Sequence, residues 1–234
     1  MLPVAILAGG LATRLRPMTE TIPKALIEIA GEPFIFHQLR YLKQQGVDSV
    51  ILCVGYLGEM IEASVGDGSQ FGVRVSYSFD GPKLLGTGGA LKAALPMLGR
   101  SFFIFYGDSF LPIQFEPVEK SYLLSKKLGL MTVLKNENQW DKSNVIYQNS
   151  SLIEYNKEEI KSNMSYIDFG LGILNADVFS RYPEGEVLDL SKVYNELSLE
   201  RELFGYEVFE RFYEIGSHQG ILETEEYLTA KEKK

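Results

Sequence analysis

Cysteine, histidine and tryptophan are scarce in this chain of 234 residues. The single cysteine, Cys53, cannot form an internal disulfide, and it lies inside an apolar run. We therefore expect a buried structural thiol in a reducing cytoplasm, and not a nucleophile. The two histidines are far apart and no second cysteine accompanies them, which argues against a zinc site.

Long hydrophobic runs are also missing. No apolar run approaches the roughly 20 residues that a membrane helix needs, and residues 1–4 lack the basic segment of a signal peptide. The net charge of -8 argues against a protein that coats nucleic acid. We therefore expect a cytoplasmic protein whose partners are neither membrane nor nucleic acid.

A glycine pair followed by cations is the most informative local pattern. The apolar run Val4–Leu7 predicts a buried parallel strand. It leads into Gly9 and Gly10, where the absence of side chains lets the backbone approach a ligand closely. Three cations then fall within one loop: Arg14, Arg16 and Lys24. A cationic loop in an acidic chain indicates an anionic ligand held at one place.

The next segments predict a βαβ unit. Apolar positions at helical spacing predict a helix from Pro33 to Gly46, and Ser49–Val54 is apolar throughout its interior, as a central parallel strand should be. A strand, a crossover helix and a second strand form a right-handed unit. A short helix over residues 57–65 and an alternating strand over Arg74–Phe79 follow.

Two further patterns point to ligand binding. Gly86, Gly88 and Gly89 precede a helix that we expect over residues 90–95, and a helix N-terminus offers N–H donors to an acceptor. An apolar strand over residues 102–106 stops at Asp108 after a glycine. An aspartate at the carboxyl end of a parallel strand lies where open α/β sheets bind ligands.

These motifs resemble the signature of the sugar-phosphate nucleotidylyltransferases, L-A-G-G-x-x-T-R-L-x-P-x-T followed by P-K. The chain carries it as Leu7-Ala8-Gly9-Gly10-Leu11-Ala12-Thr13-Arg14-Leu15-Arg16-Pro17-Met18-Thr19 and Pro23-Lys24. The resemblance spans almost the whole chain and is tightest in residues 1–108 and 211–217. It implies an α/β fold with a Rossmann-like, open, mixed but mostly parallel sheet, the nucleotide-diphospho-sugar transferase fold, and a small β-rich sugar-binding lobe. It also implies one domain over residues 1–234, in which residues 1–110 bind the nucleotide and 111–234 bind the sugar phosphate and end in a helix.

The same resemblance implies roles for single residues on the nucleotide side. The nucleotide would be held by Leu7, Ala8, Gly9, Gly10, Thr13, Gly86 and Gly88. The catalytic residues would be Arg14 on the β- and γ-phosphates, Lys24 near the α- or sugar phosphate, and Asp108. The implied cofactor is magnesium, bound by Asp108 and Glu214.

The second half changes to short strands with polar turns, over residues 130–134, 144–147, 152–155 and 170–174, with a hairpin turn at 149–151. Residues 206–209 and 212–215 look like two paired strands. The resemblance implies that the sugar phosphate is bound by Asn144, Asn156, Lys157, Asp168 and Gly170. Relatives often have a glutamate at the position of Asn156, and this chain lacks it. The alternative is therefore that Lys157 is an ordinary lysine of the hairpin and does not bind the sugar phosphate. A carboxylate at Asp168 would suit two adjacent sugar hydroxyls.

Glu214 departs from the family, in which an aspartate commonly precedes x-Gly-Thr. Its side chain is one methylene longer, so it would bind the ion directly or through a water. The alternative is an ion pair with a neighbouring cation such as Arg16 or Lys24.

The activity implied is transfer of a nucleotidyl group from an NTP to a sugar 1-phosphate. The segment 66–72 and the compact length resemble heptose or mannose 1-phosphate guanylyltransferases, which we favour, and N-acetylmuramate 1-phosphate uridylyltransferases. A non-catalytic nucleotide-sugar sensor and a plain α/β interaction domain are the alternatives of other classes. A sensor could lose Arg14, Lys24 or Asp108 without losing its fold, and this chain retains all three. The sequence leaves a homodimer open.

Overall fold

A computed structural model of the chain describes residues 1–232. The strands are β1 (Val4–Leu7), β2 (Glu28–Ile29), β3 (Glu32–Pro33), β4 (Ser49–Val54), β5 (Arg74–Phe79), β6 (Ser101–Tyr106), β7 (Ser109–Phe110), β8 (Gly129–Lys135), β9 (Val145–Gln148), β10 (Ser151–Tyr155), β11 (Tyr166–Asn175), β12 (Leu203–Val208) and β13 (Tyr213–Glu214). The α-helices are α1 (Phe34–Gln44), α2 (Gly58–Val65), α3 (Gly86–Leu98), α4 (Phe115–Ser125), α5 (Leu190–Leu199) and α6 (His218–Glu232). Among residues 1–232, no helix is both long enough and apolar enough to cross a bilayer.

The main sheet is mixed, with a parallel centre. Its principal order is β10-β9-β11-β6-β1-β4-β5, and β8 and β12 extend it from β11. Strands β6, β1, β4 and β5 are parallel, whereas β11 runs antiparallel to both β6 and β8. The predicted buried strands β1 and β4 are therefore confirmed as neighbours at the centre of the sheet.

Helices cover both faces of this sheet because the side chains of a strand alternate between its faces. Val4 and Ile6 of β1 belong to one apolar core, together with residues of α1, α2, α4 and α6. Ala5 belongs to the opposite core, with residues of α3 and α5. Cys53 is buried in this second core, as predicted. Burial, together with the charge of Asp80, raises the pKa of the Cys53 thiol to about 12, so the thiol stays protonated at neutral pH.

Two sequence predictions about local structure were wrong. The third helix begins at Gly86, four residues before the predicted start, so its glycines form the first turn. Contact with the backbone of Leu188 accounts for this start, since the amides of Gly88 and Gly89 both donate to Leu188 O. The strands expected over 206–209 and 212–215 do not pair with each other. Instead β12 runs parallel to β8, and β13 pairs with β7.

The second half of the chain continues the same sheet. The turn between β9 and β10 is confirmed as a hairpin, with Asn149 and Ser150 both at positive φ. Strand β11 spans ten residues and has an irregular register between Asp168 and Gly172. This irregularity falls beside the carboxyl end of β6, so it lies next to the edge of the sheet where Asp108 follows.

The packing of α5 on β11 generates a test of the fold. A Cβ on Gly172 would overlap the Tyr194 hydroxyl, and the next nearest atom of that ring, Cζ, would lie 3.2 Å away. Gly172→Ala should therefore destabilise the protein by about 1–3 kcal/mol, as overpacked cores do. Tyr194→Phe removes the overlapping oxygen, so it should restore most of the loss in the double variant. Denaturant unfolding of all four proteins measures this, and strictly additive losses would contradict the assigned contact.

Candidate active site

A cleft of about 250 Å³ opens along the carboxyl ends of the parallel strands. Strand β1 leads into Ala8, β4 into Gly55, β5 into Asp80 and β6 into Asp108, so four strands deliver residues to one edge. The residues that line the cleft are Leu7, Ala8, Gly9, Gly10, Ala12, Lys24, Ala25, Cys53, Asp80, Leu84, Gly86, Thr87, Ala90, Tyr106, Gly107 and Asp108.

The two glycines after β1 face different surroundings. A Cβ on Gly9 would lie 2.9 Å from the backbone nitrogen of Gly55, so the chains after β1 and β4 touch there. A Cβ on Gly10 would meet nothing within 4 Å. Gly9 is thus required by the approach of two loops, and Gly10 leaves the backbone open toward the cleft.

The loop that carries Arg14 is anchored from below. Leu15 is fully buried, and the hydroxyl of Thr19 donates to Ala12 O at 2.8 Å. Thr13 and Arg14 are exposed, and neither lines the cleft. Among residues 1–232, Arg14 makes no hydrogen bond or ion pair. Its guanidinium therefore keeps all of its donors for another group.

Lys24 and Asp108 form an ion pair at the floor of the cleft. Lys24 Nζ lies 2.9 Å from Asp108 Oδ2, and the two side chains are 21% and 35% exposed. The hydroxyl of Ser109 donates to the other oxygen, Oδ1, at 3.2 Å. A lysine and a carboxylate 84 positions apart thus meet beside the glycine loop.

Glu214 lies next to this pair, and its carboxylate is turned toward the start of α6. It accepts hydrogen bonds from the Gly216 amide and from the hydroxyl of Ser217, the latter at 2.6 Å. It forms no ion pair with Arg16 or Lys24.

The backbone at Gly216 closes the gap between these groups. A Cβ there would lie 2.7 Å from Glu214 Oε2, 3.5 Å from Lys24 Nζ and 3.6 Å from Asp108 Oδ2. Glycine is therefore the residue that lets both carboxylates and the ammonium approach one another. Sequence reasoning missed this role of Gly216.

The donor set at this point fits magnesium. Two carboxylates lie beside one another where β7 pairs with β13. Asp108 directly precedes β7, Glu214 is opposite Ser109, and the Ile215 amide donates to Asp108 O at 2.8 Å. Magnesium in proteins is commonly bound by one or two carboxylates, with phosphate oxygens and water completing the octahedron. Within the described part of the chain, no group of three or more acidic, histidine or cysteine side chains could hold a metal by itself.

A further carboxylate, that of Asp80, lies at the far end of the cleft. Asp80 Oδ2 accepts a hydrogen bond from the Leu85 amide at 3.1 Å, and it faces Gly55. Burial raises the pKa of Asp80, although the bond from Leu85 opposes this shift. Strand β5 lies three strands from β6, which separates Asp80 from Asp108 by about 14 Å along the edge. Sequence reasoning did not select Asp80. Its position directly after an alternating strand is the signal that could have identified it.

The glycines of α3 differ in what they face. Gly86 lines the cleft and has a φ of +74°. Gly88 does not line it: its amide donates to Leu188 O at 2.8 Å, and a Cβ there would lie 2.8 Å from the Leu188 side chain. The glycines at 86 and 88 therefore serve helix–loop packing at least as much as ligand access.

Asp168 stands beside the other end of the cleft, on β11. Its amide donates to the side-chain oxygen of Asn144 at 3.0 Å, and its own Oδ1 accepts from the Gly170 amide at 3.0 Å. Burial raises the pKa of Asp168 to about 6, against the lowering effects of the Gly170 amide and the Lys157 charge. Lys157 is exposed. Asn156 folds back on the chain, because its side-chain oxygen accepts from the amides of residues 158 and 159.

Three tyrosines surround Asp168 that sequence reasoning did not select: Tyr106, Tyr155 and Tyr194. Burial raises the pKa of each, and the negative charge of Asp168 contributes in all three cases. Their hydroxyls have no hydrogen-bond partner within residues 1–232. Tyr106 could have been found, because it is the last residue of a parallel strand and such ends face the ligand crevice.

Asp189 and Thr87 join the two halves of the cleft. The Leu190 amide donates to the Thr87 hydroxyl at 2.8 Å, and the Ser191 amide donates to Asp189 Oδ1 at 2.8 Å. Burial opposes ionisation of Asp189, but hydrogen bonds from Ser191 and Thr87 and the charge of Lys157 lower its pKa overall. Residues from α3, α5 and the segment after β10 thus share one electrostatic environment.

Comparison with known proteins finds similarity over nearly the whole chain. Residues 4–230 match the family model described as nucleotidyl transferase. The chain is 31% identical over 192 residues to a D-glycero-alpha-D-manno-heptose 1-phosphate guanylyltransferase of Campylobacter jejuni, covering 82% of this chain and 84% of that protein. It is 30% identical over 224 residues to the catalytic subunit beta of a Drosophila melanogaster mannose-1-phosphate guanylyltransferase, covering 93% of this chain and 60% of that protein.

A shorter match has higher identity. Over 111 residues the chain is 41% identical to an N-acetylmuramate alpha-1-phosphate uridylyltransferase of Neisseria meningitidis, which is 47% of this chain and 48% of that protein. The chain therefore spans about half the length of this relative and about three-fifths of the Drosophila one.

Solved structures share the fold. HddC from Yersinia pseudotuberculosis, complexed with GMP-PN, superposes with a TM-score of 0.80 at 25% identity, covering 97% of this chain and all of that one. A UDP-glucose pyrophosphorylase complexed with UDP-glucose superposes with a TM-score of 0.78 at 17% identity, over 99% of both chains. With a family match from residue 4 to residue 230 and a cleft at the edge of the parallel strands, this chain belongs to the nucleotidyl transferase family.

Proposed function

We propose that this protein transfers a nucleotidyl group from an NTP to a sugar 1-phosphate, giving an NDP-sugar and pyrophosphate. The observation that carries the proposal is the cleft itself, in which Lys24 and Asp108 meet beside the open backbone of Gly10. Residues 1–110 would bind the nucleotide and residues 111–234 the sugar phosphate. We assign the reaction to the cytoplasm, in keeping with the unpaired thiol of Cys53.

The reaction needs no protein nucleophile. A phosphate oxygen of the sugar 1-phosphate attacks the α-phosphorus of the NTP, the new P–O bond forms, and the bond to the bridging oxygen breaks as pyrophosphate leaves. Catalysis then depends on alignment of two anions and on neutralisation of their charge. We assign Lys24 to the α- or sugar phosphate as a point charge, and the exposed guanidinium of Arg14 to the β- and γ-phosphates.

A divalent ion fits the same place. Members of this family generally use a divalent metal, and we propose magnesium, held by Asp108 and Glu214. The ion would supply charge neutralisation at the phosphate oxygens. Glu214 would have to exchange its contacts with Gly216 and Ser217 for the ion or for a water bound to it.

Asp80 favours guanine among the bases. With the phosphates at Lys24 and Asp108, a nucleotide that extends for about 14 Å along the strand ends would bring its base beside Asp80 and Leu84. A carboxylate only accepts hydrogen bonds. Guanine offers it two adjacent donors, from N1 and N2, whereas uracil offers one between two carbonyl oxygens. The 41% identity to a uridylyltransferase over 111 residues favours uracil, which is the second candidate.

A screen of pyrophosphate release tests the function. The common NTPs would be paired with mannose, heptose, N-acetylmuramate and glucose 1-phosphates in the presence of magnesium. We expect release only when both substrates are present.

Lys24→Ala and Arg14→Ala should each lower turnover by about a hundredfold or more while the fold remains. Lys43→Ala is the matched control, because Lys43 pairs with Asp48 on the surface. Nucleotide-sugar binding without turnover by any pair would favour a sensor.

Asp80→Asn tests the choice of base. The change keeps an oxygen for the Leu85 amide and removes the charge that would accept from the base. A charged hydrogen bond contributes about 1.5–3 kcal/mol, so kcat/KM for GTP should fall about ten- to a hundredfold. Asp67→Asn is the control, because Asp67 accepts from the Ser69 amide at 3.0 Å in a similar turn. An unchanged ratio of GTP to UTP activity would reject Asp80 as the base-reading residue.

Asp168→Asn tests the sugar side through its pH dependence. The raised pKa of about 6 means that the carboxylate forms only as pH rises through 6. If the ionised form binds sugar hydroxyls, KM for the sugar phosphate should fall between pH 5 and pH 7 in the wild type and stay flat in the variant. KM for NTP should not change.

The same shift predicts an effect on stability. A carboxyl with a raised pKa contributes stability below pH 4 that is lost as pH rises through about 6. Asp168→Asn should therefore raise the melting temperature more at pH 8 than at pH 4.

The kinetic test has a separate contradicting outcome. If Asp168→Asn raises KM equally for both substrates, Asp168 shapes this part of the sheet and does not bind the sugar.

A further inference from the structure

Gln38 is a fully buried polar residue in the middle of α1. Its side-chain nitrogen donates to Tyr106 O at 3.0 Å and to Ser109 O at 2.7 Å. These two carbonyls flank the dipeptide that ends with Asp108. Both N–H bonds of one amide therefore hold the two sides of the turn that presents the candidate catalytic carboxylate.

The opposite atom of the same amide has no partner. Gln38 Oε1 is buried and accepts no hydrogen bond from residues 1–232. An unsatisfied buried acceptor lowers stability. An apolar side chain of the same length would remove this acceptor, but it would also leave Tyr106 O and Ser109 O without the donor that Gln38 supplies. The amide cannot gain by turning over, since its oxygen would then face two carbonyl oxygens.

Two backbone hydrogen bonds hold the same turn from other directions. The Gly107 amide donates to Leu7 O at 2.9 Å, which ties the turn to β1. The Ile215 amide donates to Asp108 O at 2.8 Å, which ties it to β13. Gln38 adds the connection to α1 and bonds the residue before and the residue after this dipeptide.

We propose that Gln38 is a positioning residue for the transfer reaction and acts through Asp108. It fixes the direction of the Asp108 carboxylate, and through the ion pair at 2.9 Å it fixes Lys24 as well. The orphaned oxygen is a stability cost that accompanies this function. The proposal rests on the proposed function, in which Asp108 acts at the reacting phosphates.

Gln38→Met tests it, because methionine matches the length of glutamine and lacks both donors. Gln45→Met is the matched control. Gln45 follows the same helix, and its side-chain oxygen accepts from the Phe115 amide at 3.0 Å, away from the cleft. We expect Gln38→Met to lower kcat by at least about tenfold with KM for NTP nearly unchanged, as displaced reacting groups do. Both variants should remain folded at the assay temperature, which their melting curves check.

Hydrogen exchange supplies a readout that needs no turnover. Peptides that cover residues 104–112 should exchange faster in Gln38→Met than in the wild type or in Gln45→Met. Unchanged exchange, or a full kcat in a loosened turn, would overturn the role of Gln38. Absence of turnover in the wild-type protein with every substrate pair would reject the proposed function, and this proposal with it.

Discussion

The parallel pairing of β1 with β6 on one side and β4 on the other determines where everything else in the cleft lies. Parallel strands end at the same edge, so residues that are far apart in sequence arrive there together. Gly10 follows β1 and Asp108 follows β6, although about a hundred residues separate them. Strand β11 runs antiparallel to β6 and brings Asp168 to the same edge from the second half of the chain. One sheet thus joins the candidate nucleotide and sugar sides.

Charges of both signs lie in and around the cleft. Lys24, Asp80 and Asp108 line it, and Arg14 is exposed on the loop that follows β1. Asp108 compensates Lys24, while the Glu214 carboxylate is occupied by an amide and a hydroxyl. On β11, a partly buried Asp168 feels the charge of Lys157 without forming an ion pair with it. Opposite charges are therefore in contact beside β6 and separated beside β11.

Close backbone approach is the second constraint on the site. Gly9 meets the backbone of Gly55, Gly88 meets Leu188, and Gly216 leaves room for two carboxylates and an ammonium. In each case a methyl group would come within about 3 Å of another atom. A glycine-rich sequence is typical of ligand loops, but here the same glycines also allow the loops to pack against one another. Packing and ligand access cannot be separated by the residue type alone.

The sequence by itself determined the central strands, the βαβ unit, the hairpin after β9 and the loops that carry Arg14, Lys24 and Asp108, because these follow from local periodicity and turn chemistry. It did not determine that β13 pairs with β7, or that α3 begins at Gly86, since both depend on distant partners. The strand-end positions of Tyr106 and Asp80 are visible in the sequence, but nothing comparable marks Gln38. Their importance comes from the cleft edge and from one buried amide that reaches a turn about 70 residues away. Only tertiary structure brings such groups together, because hydrogen bonds and burial act through space and leave no periodic trace in the chain.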